Sequence, residues 1–329
     1  MDHLDFNSIT KIIADDLEAI ERILLEETRI HYDFVDDAVR HVIEGGGKRL
    51  RPILLTLSSK ACGYAGEDAH ILAACIELIH VASLVHDDVL DEAPIRRSQV
   101  TLHSKWGNKV AVLVGDYLHA RVLSMLASRG SDDPALEILA NAAQAMCEGE
   151  VIHAYKNGDF EICQNNYLKI VELKTGKLIS ASCHTGAMLG TKNPEYVNAL
   201  IAYGELIGIA FQIIDDLLDF VADPEKFGKQ PFKDLREGKL TFPMIYVREN
   251  CTGEERKKLE DIFNTVEFAG DQTIEWMSQL LDSYAVKSYC LEVAQEYVDR
   301  AQIALNVLPN TEAKVALNNL AESLVSRDS

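Results

Sequence analysis

The sequence predicts an all-α protein, a single bundle of ten or more helices. Two observations carry this. Apolar residues recur at helical spacing along most of the chain, and period-2 alternation of β-branched residues is rare. By length alone a 329-residue chain would divide into about two domains. Only eight prolines and nineteen glycines occur, and no proline- or serine-rich linker interrupts the pattern, so one domain over residues 1–329 is expected.

The elements follow in order. "SITKIIADDLEAIERILLEET" places Ile9, Ile12, Ile13, Leu17, Ile20 and Leu24 on one face, with Ser8 as the expected N-cap. Pro52 falls in the first turn of a helix through "PILLTLSSKAC". "DAHILAACIELIHVASLVHDDVLDEA" is apolar nearly all round until its aspartates, the mark of a buried central helix. Further helices are expected over 109–128, 134–156, 165–190, 194–222, 237–249, 253–265, 270–281 and 284–307. Three loops remain, at 44–52, 91–100 and 223–239, and all are rich in Lys, Arg and Gly.

Composition excludes several classes. A net charge of −20 disfavours nucleic acid and anionic lipid, which need a basic surface. The seven cysteines form no CxxC pair and several sit in apolar runs, so they read as reduced core residues of a cytoplasmic protein. "MDHLDFNSIT" lacks a basic and an apolar stretch, so no signal peptide is expected. No uninterrupted apolar run approaches the ~18 residues that span a bilayer, so no integral membrane segment is expected.

The chemistry is concentrated in two stretches, "HDDVLDEAPIRRS" and "FQIIDDLLDF". On a helix, Asp87 and Asp91 share a face, as do Asp215 and Asp219. Like charges at that spacing, at a helix C-terminus where the dipole is already negative, are unfavourable unless a divalent cation sits between them. An all-oxygen carboxylate set selects a hard ion, and Mg²⁺ is held by one or two carboxylates together with substrate phosphates. Two such motifs therefore imply a diphosphate bridged to the protein by Mg²⁺. The basic loops supply complementary charge. Lys48 and Arg51 follow three glycines that let backbone approach an anion, and Arg96 and Arg97 offer bidentate contacts to phosphate. "GGGK" is no P-loop, since the GxxxxGK[ST] spacing and a preceding strand are missing. Lys174 lies in mid-helix among apolar residues and needs an anionic partner, for which a diphosphate would serve.

With "GGGKRLRP", "HDDVLDEAPIRR", "GNKVAVLVGDYL", "ELKTGKLISASCHTGA", "GIAFQIIDDLLDF" and "FGKQPFKDLREGKLTFP" in this order, the chain resembles the trans-type polyprenyl (isoprenyl) diphosphate synthases, most nearly the octaprenyl, long-chain bacterial kind. The resemblance covers nearly the whole sequence. It implies a helical isoprenoid-synthase fold around a central cavity, a homodimer, and about three Mg²⁺ ions per active site. It implies condensation of isopentenyl diphosphate with an allylic diphosphate. By the same resemblance Asp87, Asp91, Asp215 and Asp219 hold metal, and Asp88 and Asp216 stand behind them. Arg96, Lys174 and Lys229 clasp the allylic diphosphate. Lys48, Arg51, His80 and Arg97 hold isopentenyl diphosphate. Thr175 and Gln212 flank the developing cation, and Lys239 closes over the site with its loop. His86 is read as structural. Two departures stand out: "RRS" at 96–98 where the family has arginine-arginine-glycine, and His153 where it often has glutamine.

In that family the helix bearing the first aspartate motif also walls the elongation cavity. Ala82 and Ser83 lie roughly 6–8 Å below the metal site and are small. Leu78 and Cys75, further down, are not bulky either, and the cavity floor is expected from the helix over 134–156. The expected product therefore has about six to nine isoprene units, such as the side chain of a respiratory quinone. Short-chain (farnesyl or geranylgeranyl) synthesis, a class I terpene synthase and a non-catalytic subunit of a heteromeric synthase are the alternatives. A terpene synthase would not need Lys48, Arg51 and Arg97, and a silent subunit usually loses one aspartate motif.

Overall fold

The computed structural model describes residues 6–130, 132–221, 232–265 and 270–326. The chain runs α1 (Phe6–Ile12), α2 (Ala14–Glu27), α3 (Asp33–Ile43), α4 (Leu50–Ala61), α5 (Asp68–Leu90), a hairpin of β1 (Ile95–Arg96) and β2 (Gln99–Val100), α6 (Leu102–Trp106), α7 (Asn108–Ala127) and α8 (Pro134–Lys156). It continues with α9 (Gln164–Val171), a π-helical turn (Glu172–Gly176), α10 (Lys177–Gly190), α11 (Pro194–Val221), α12 (Lys233–Arg236), α13 (Phe242–Asn250), α14 (Gly253–Phe263), α15 (Gly270–Ser283), α16 (Val286–Ala304), a 3₁₀ turn (Leu305–Val307) and α17 (Glu312–Val325). The fold class is all-α, as the sequence predicts.

Four local departures from the sequence reading have physical causes. Ile13, at φ −124° and ψ 28°, divides the first predicted helix, and its first piece, α1, already includes Phe6, so Ser8 lies inside α1 and is not a cap. The predicted helix over 165–190 is interrupted by the π-helical turn. The segment 237–240 joins α12 to a helix that starts only at Phe242, because Gly238 takes φ +73°. The loop over 91–100 contains a hairpin whose two-residue strands are too short to show alternation.

Contacts divide the chain into two compact units, each built from separate stretches. The first comprises residues 1–143, 178–201 and 305–319. Its core is α5, thirteen of whose 23 residues are buried, as expected of a helix apolar on every face. α5 packs on α2, α4 and α7. Ten of the twelve α4 residues are buried as well. Gly186 and Gly190 on α10 let that helix lie directly on α4: a Cβ at Gly186 would fall 2.3 Å from the Leu55 carbonyl oxygen.

One charged pair is sealed in this apolar unit. Glu77, in the middle of α5, is 2% exposed, and its carboxylate accepts from Arg49 Nη1 at 2.9 Å. Arg49 also reaches Glu21 on α2 and the Ile43 carbonyl, so one guanidinium ties three helices to the start of α4. Sequence reading passed over both residues. The signal was present, since a lone Glu in an apolar run requires a cationic partner.

The second unit comprises residues 144–177, 202–304 and 320–329. Ile213, Leu217 and Phe220 of α11 meet Phe242, Met244 and Ile245 of α13 and Val286, Cys290 and Ala294 of α16. Tyr289 stacks on Tyr246 at 3.8 Å and on Phe242 at 5.8 Å. A capping box, Thr252 with Glu255, starts α14.

All seven cysteines are free thiols, and Cys75, Cys183 and Cys290 are buried. The expectation drawn from uninterrupted apolar runs needs a correction. Judged by mean hydropathy, three helices are long and apolar enough to cross a membrane: Asp68–Leu90, Asn108–Ala127 and Pro194–Phe220. The run criterion overlooks them because it stops at each of the one or two charges that the mean tolerates. In the first and third, 67% and 56% of the apolar window is buried inside the protein; in the second, 39% is.

Candidate active site

Each aspartate motif ends a long apolar helix, the first in the first unit and the second in the second. The Asp91 N–H donates to the Asp87 carbonyl at 2.8 Å, so helical register runs through the motif and the two carboxylates share a face. A common pattern distinguishes the aspartates. Asp87, Asp91, Asp215 and Asp219 keep accessible surface, whereas the middle residues, Asp88 and Asp216, are buried and bonded within the protein.

In the first unit, Arg96 Nε donates to Asp88 Oδ1 at 2.5 Å. The β1–β2 hairpin places this arginine. Its two loop residues, Arg97 at φ 50° and Ser98 at φ 63°, are both left-handed, as in a type I′ turn. Ser98 thus occupies a conformation that glycine takes freely and other residues adopt at about 1–2 kcal/mol. Arg97 turns back onto the glycine loop, where its guanidinium donates to the Gly46 carbonyl. Gly47 takes φ +149°, a conformation that L side chains rarely adopt, and a Cβ there would displace the Arg97 guanidinium, whose Nη1 would lie 2.5 Å away.

Arg51 and His80 share this basic surround. Burial lowers the Arg51 guanidinium to about 10; Glu77 opposes the shift and Arg97 adds to it. Arg51 Nε is buried without a hydrogen-bond acceptor in the protein. His80 is held well below the usual histidine range, first by burial and then by Arg51, Arg97, Arg96 and Arg49. It is therefore neutral, and can give one N–H while the cations around it carry the charge. Lys48 is exposed on the loop that leads into α4. A buried arginine donor lacking an acceptor, in a group with Arg49, Arg96 and Arg97 around His80, fits an anion with several oxygens. His86 packs on α7, with Nε2 3.2 Å from the Val112 carbonyl and its ring filling the space a Gly115 side chain would need.

In the second unit the π-helical turn is held between two glycines. A Cβ at Gly149 on α8 would fall 2.8 Å from the Lys174 nitrogen, and one at Gly208 on α11 would fall 2.6 Å from Gly176 Cα. Such turns insert one residue into a helix and are common where a side chain must be re-aimed. Thr175 Oγ1 donates to Gln212 Oε1 at 3.1 Å, and Gln212 Nε2 donates to Asp216 Oδ1 at 2.9 Å. Tyr167 Oη and the Phe242 N–H donate to Asp216 Oδ2, the latter at 3.4 Å. Burial pushes Asp216 well above the ordinary carboxylate range, although Tyr167 and Gln212 act against the shift. Its oxygens are spent on these three donors.

Lys174 differs from the expectation of a buried lysine awaiting a diphosphate. Its side chain is 31% exposed and already forms an ion pair with Glu150. The reason is the π-helical turn, which carries it out of the apolar face that straight helical spacing assigns. Sequence reading also missed Asp234. The Asp234 N–H donates to Asp219 Oδ2 at 3.2 Å, and its carboxyl is raised to about 6, chiefly by burial and then by Asp219, with Lys239 opposing. Lys239 pairs with Glu237 at 2.8 Å. Lys229 lies outside the described residues.

Among the described residues no three His, Cys, Asp or Glu side chains converge as a ready-made metal cage. The accessible carboxylates are hard oxygen donors on the surface of their helices. They suit an ion that is shared with substrate oxygens rather than enclosed by protein.

A model of the family described as "Polyprenyl synthetase" matches residues 33–281. The chain belongs to the polyprenyl synthetase family. Like its named relatives, this synthetase is a prenyltransferase. It is 34% identical to the octaprenyl diphosphate synthase of Escherichia coli (strain K12), across 99% of this chain and 100% of that one. It is 33% identical to a short chain isoprenyl diphosphate synthase of Methanothermobacter thermautotrophicus, across 88% and 90% of the two chains. The crystal structure of a polyprenyl synthase from Caulobacter crescentus, complexed with calcium and isoprenyl diphosphate, superposes with a TM-score of 0.91 at 32% identity, covering 99% and 98% of the chains. The relatives thus span long and short products, and the reaction class is common to them.

Proposed function

We propose that this synthetase condenses isopentenyl diphosphate with an allylic diphosphate such as farnesyl diphosphate, in the presence of Mg²⁺, to give an all-trans product of about six to nine isoprene units. The observation that carries the reading is the basic surround gathered in the unit of the first aspartate motif, in which Arg51 Nε has no acceptor; the sequence supplies a second motif of the same spacing. In the reaction the allylic C–O bond breaks, both electrons leaving with the diphosphate. The double bond of isopentenyl diphosphate then attacks the allylic carbon to form the new C–C bond, and a proton is lost.

Asp87 and Asp91, and Asp215 with Asp219, would hold the metal, and about three ions would serve one site. Bound there, Mg²⁺ supplies Lewis-acid stabilisation of the negative charge that develops on the leaving diphosphate. The remaining roles belong to the chain itself. Arg51, Arg97, Lys48 and neutral His80 orient isopentenyl diphosphate; Arg96 and Lys174, with Lys229, orient the allylic diphosphate. Thr175 and Gln212 set fixed dipoles beside the developing cation, anchored on Asp216. The arginine count favours elongation over a cyclising terpene synthase, and two intact aspartate motifs argue against a silent subunit. Exposed Val112, Leu113 and Leu123 on α7 support a homodimer. A quinone-type product and a cytoplasmic site of action complete the reading, with the whole chain acting as one catalytic domain.

The test is incubation with Mg²⁺, farnesyl diphosphate and labelled isopentenyl diphosphate, followed by product sizing. Products of about six to nine units are expected; arrest at about three or four units favours short-chain synthesis, and no incorporation overturns the reading. Of the two small residues near the first motif, Ala82 is fully enclosed and Ser83 keeps accessible surface. Ser83→Phe is therefore expected to shorten the product to about three or four units by steric exclusion. An unchanged product distribution would remove Ser83 from the cavity wall.

A further inference from the structure

Glu150 lies on α8 next to Gly149, the residue whose missing side chain lets α8 meet the π-helical turn at the Lys174 nitrogen. The Lys174 backbone is thereby held, and the place of its ammonium depends on its four-carbon stem. The stem ends on Glu150: the ammonium pairs with Oε2, and His153 Nδ1, one turn along α8, stands 3.7 Å from Oε1. Burial would raise the Glu150 carboxyl, but His153 and Lys174 outweigh it and bring it to about 2, so it is an anion throughout the working range.

We propose that Glu150 is a positioning residue for prenyl transfer, holding the Lys174 ammonium at a set place in the substrate-free enzyme so that the allylic diphosphate meets a cation already in position. This rests on Lys174 contacting the allylic diphosphate, as read above. The alternative is that Glu150 merely neutralises a partly buried lysine for the sake of the fold. The two differ in one respect. A positioning carboxylate acts through Lys174, so its removal matters only while Lys174 is present. Without the Glu150 carboxylate the ammonium loses a contact that sets its place, and small misplacements of a substrate-positioning group are costly to rate.

The experiment is a kinetic double-mutant cycle on the full-length enzyme with Mg²⁺, farnesyl diphosphate and isopentenyl diphosphate, together with thermal melting of each variant. Glu150→Gln is expected to lower kcat/KM for the allylic substrate by about ten- to hundredfold with little change in melting temperature. In a Lys174→Met background the same substitution is expected to change kcat/KM by less than about twofold. If Glu150→Gln acts as the parent enzyme does, or if the two losses multiply, Glu150 does not act through Lys174 and the proposal falls. If Lys174→Met alone matches the parent, the role of Lys174 falls and takes the proposal with it. Should Glu150→Gln lower the melting temperature by more than about 4 °C, Glu150→Asp, which keeps the charge but retracts it, carries the same cycle with the same criteria.

Discussion

Asp215→Asn, assayed with Mg²⁺ and both diphosphates, is expected to lose prenyl transfer by about 10²–10⁴-fold, the effect of withdrawing several kcal/mol of transition-state stabilisation. The substitution keeps the shape of the side chain and removes the charge that would draw the cation. Asp215 is exposed, so urea denaturation should find the variant within about 0.5 kcal/mol of the parent. Asp87→Asn should behave alike. The contrast lies one residue on. Asp216 is buried under three donors, so Asp216→Asn should lower stability as well as activity, because an amide nitrogen would face Tyr167 Oη or the Gln212 amide without an acceptor to offer. Full activity of Asp215→Asn at limiting Mg²⁺ would show that the accessible aspartates do not hold metal.

The largest expected stability loss lies elsewhere, at Arg49. Arg49→Met should destabilise the protein by about 3–5 kcal/mol in urea denaturation, since it strands the buried Glu77 carboxylate. Coulomb attraction lost to the half-exposed Glu21 contributes little by comparison. Adding Glu77→Gln should restore part of the loss, because a neutral amide is less costly to bury than an unpaired charge. A change below about 1 kcal/mol for Arg49→Met would mean that water reaches Glu77 and that the pair is not sealed.

Long apolar segments were legible because their burial leaves one dominant pattern. α5 and α8 fall where hydrophobic spacing places them, and α8 has the predicted bounds of 134–156. The paired aspartates were legible because their spacing conflicts with helix electrostatics unless something binds. What could not be read has a common cause: it depends on partners distant in sequence. Glu150 has no distinguishing neighbours in "CEGEV", and its meaning comes from Lys174, 24 positions away. Asp234 looks like an ordinary loop carboxylate until the fold sets it beside Asp219. The hairpin that aims Arg96 and Arg97 depends on two left-handed residues, neither of them the Asn or Gly that signals such a turn. Ser8 failed as a cap for a local reason, because the helix starts before it.

The π-helical turn has a geometric consequence for the residues on either side of it. Tyr167 and Thr175 are eight positions apart, which in an unbroken α-helix overshoots two full turns by about 80°. The turn absorbs one residue, so the pair behaves as if separated by seven, which is close to two turns. Tyr167 and Thr175 consequently point the same way and grip one stretch of α11 from a single side, at Asp216 and Gln212, themselves one turn apart. An extra residue in the helix thus converts two side chains that would diverge into a matched pair of fingers on two neighbouring side chains of α11.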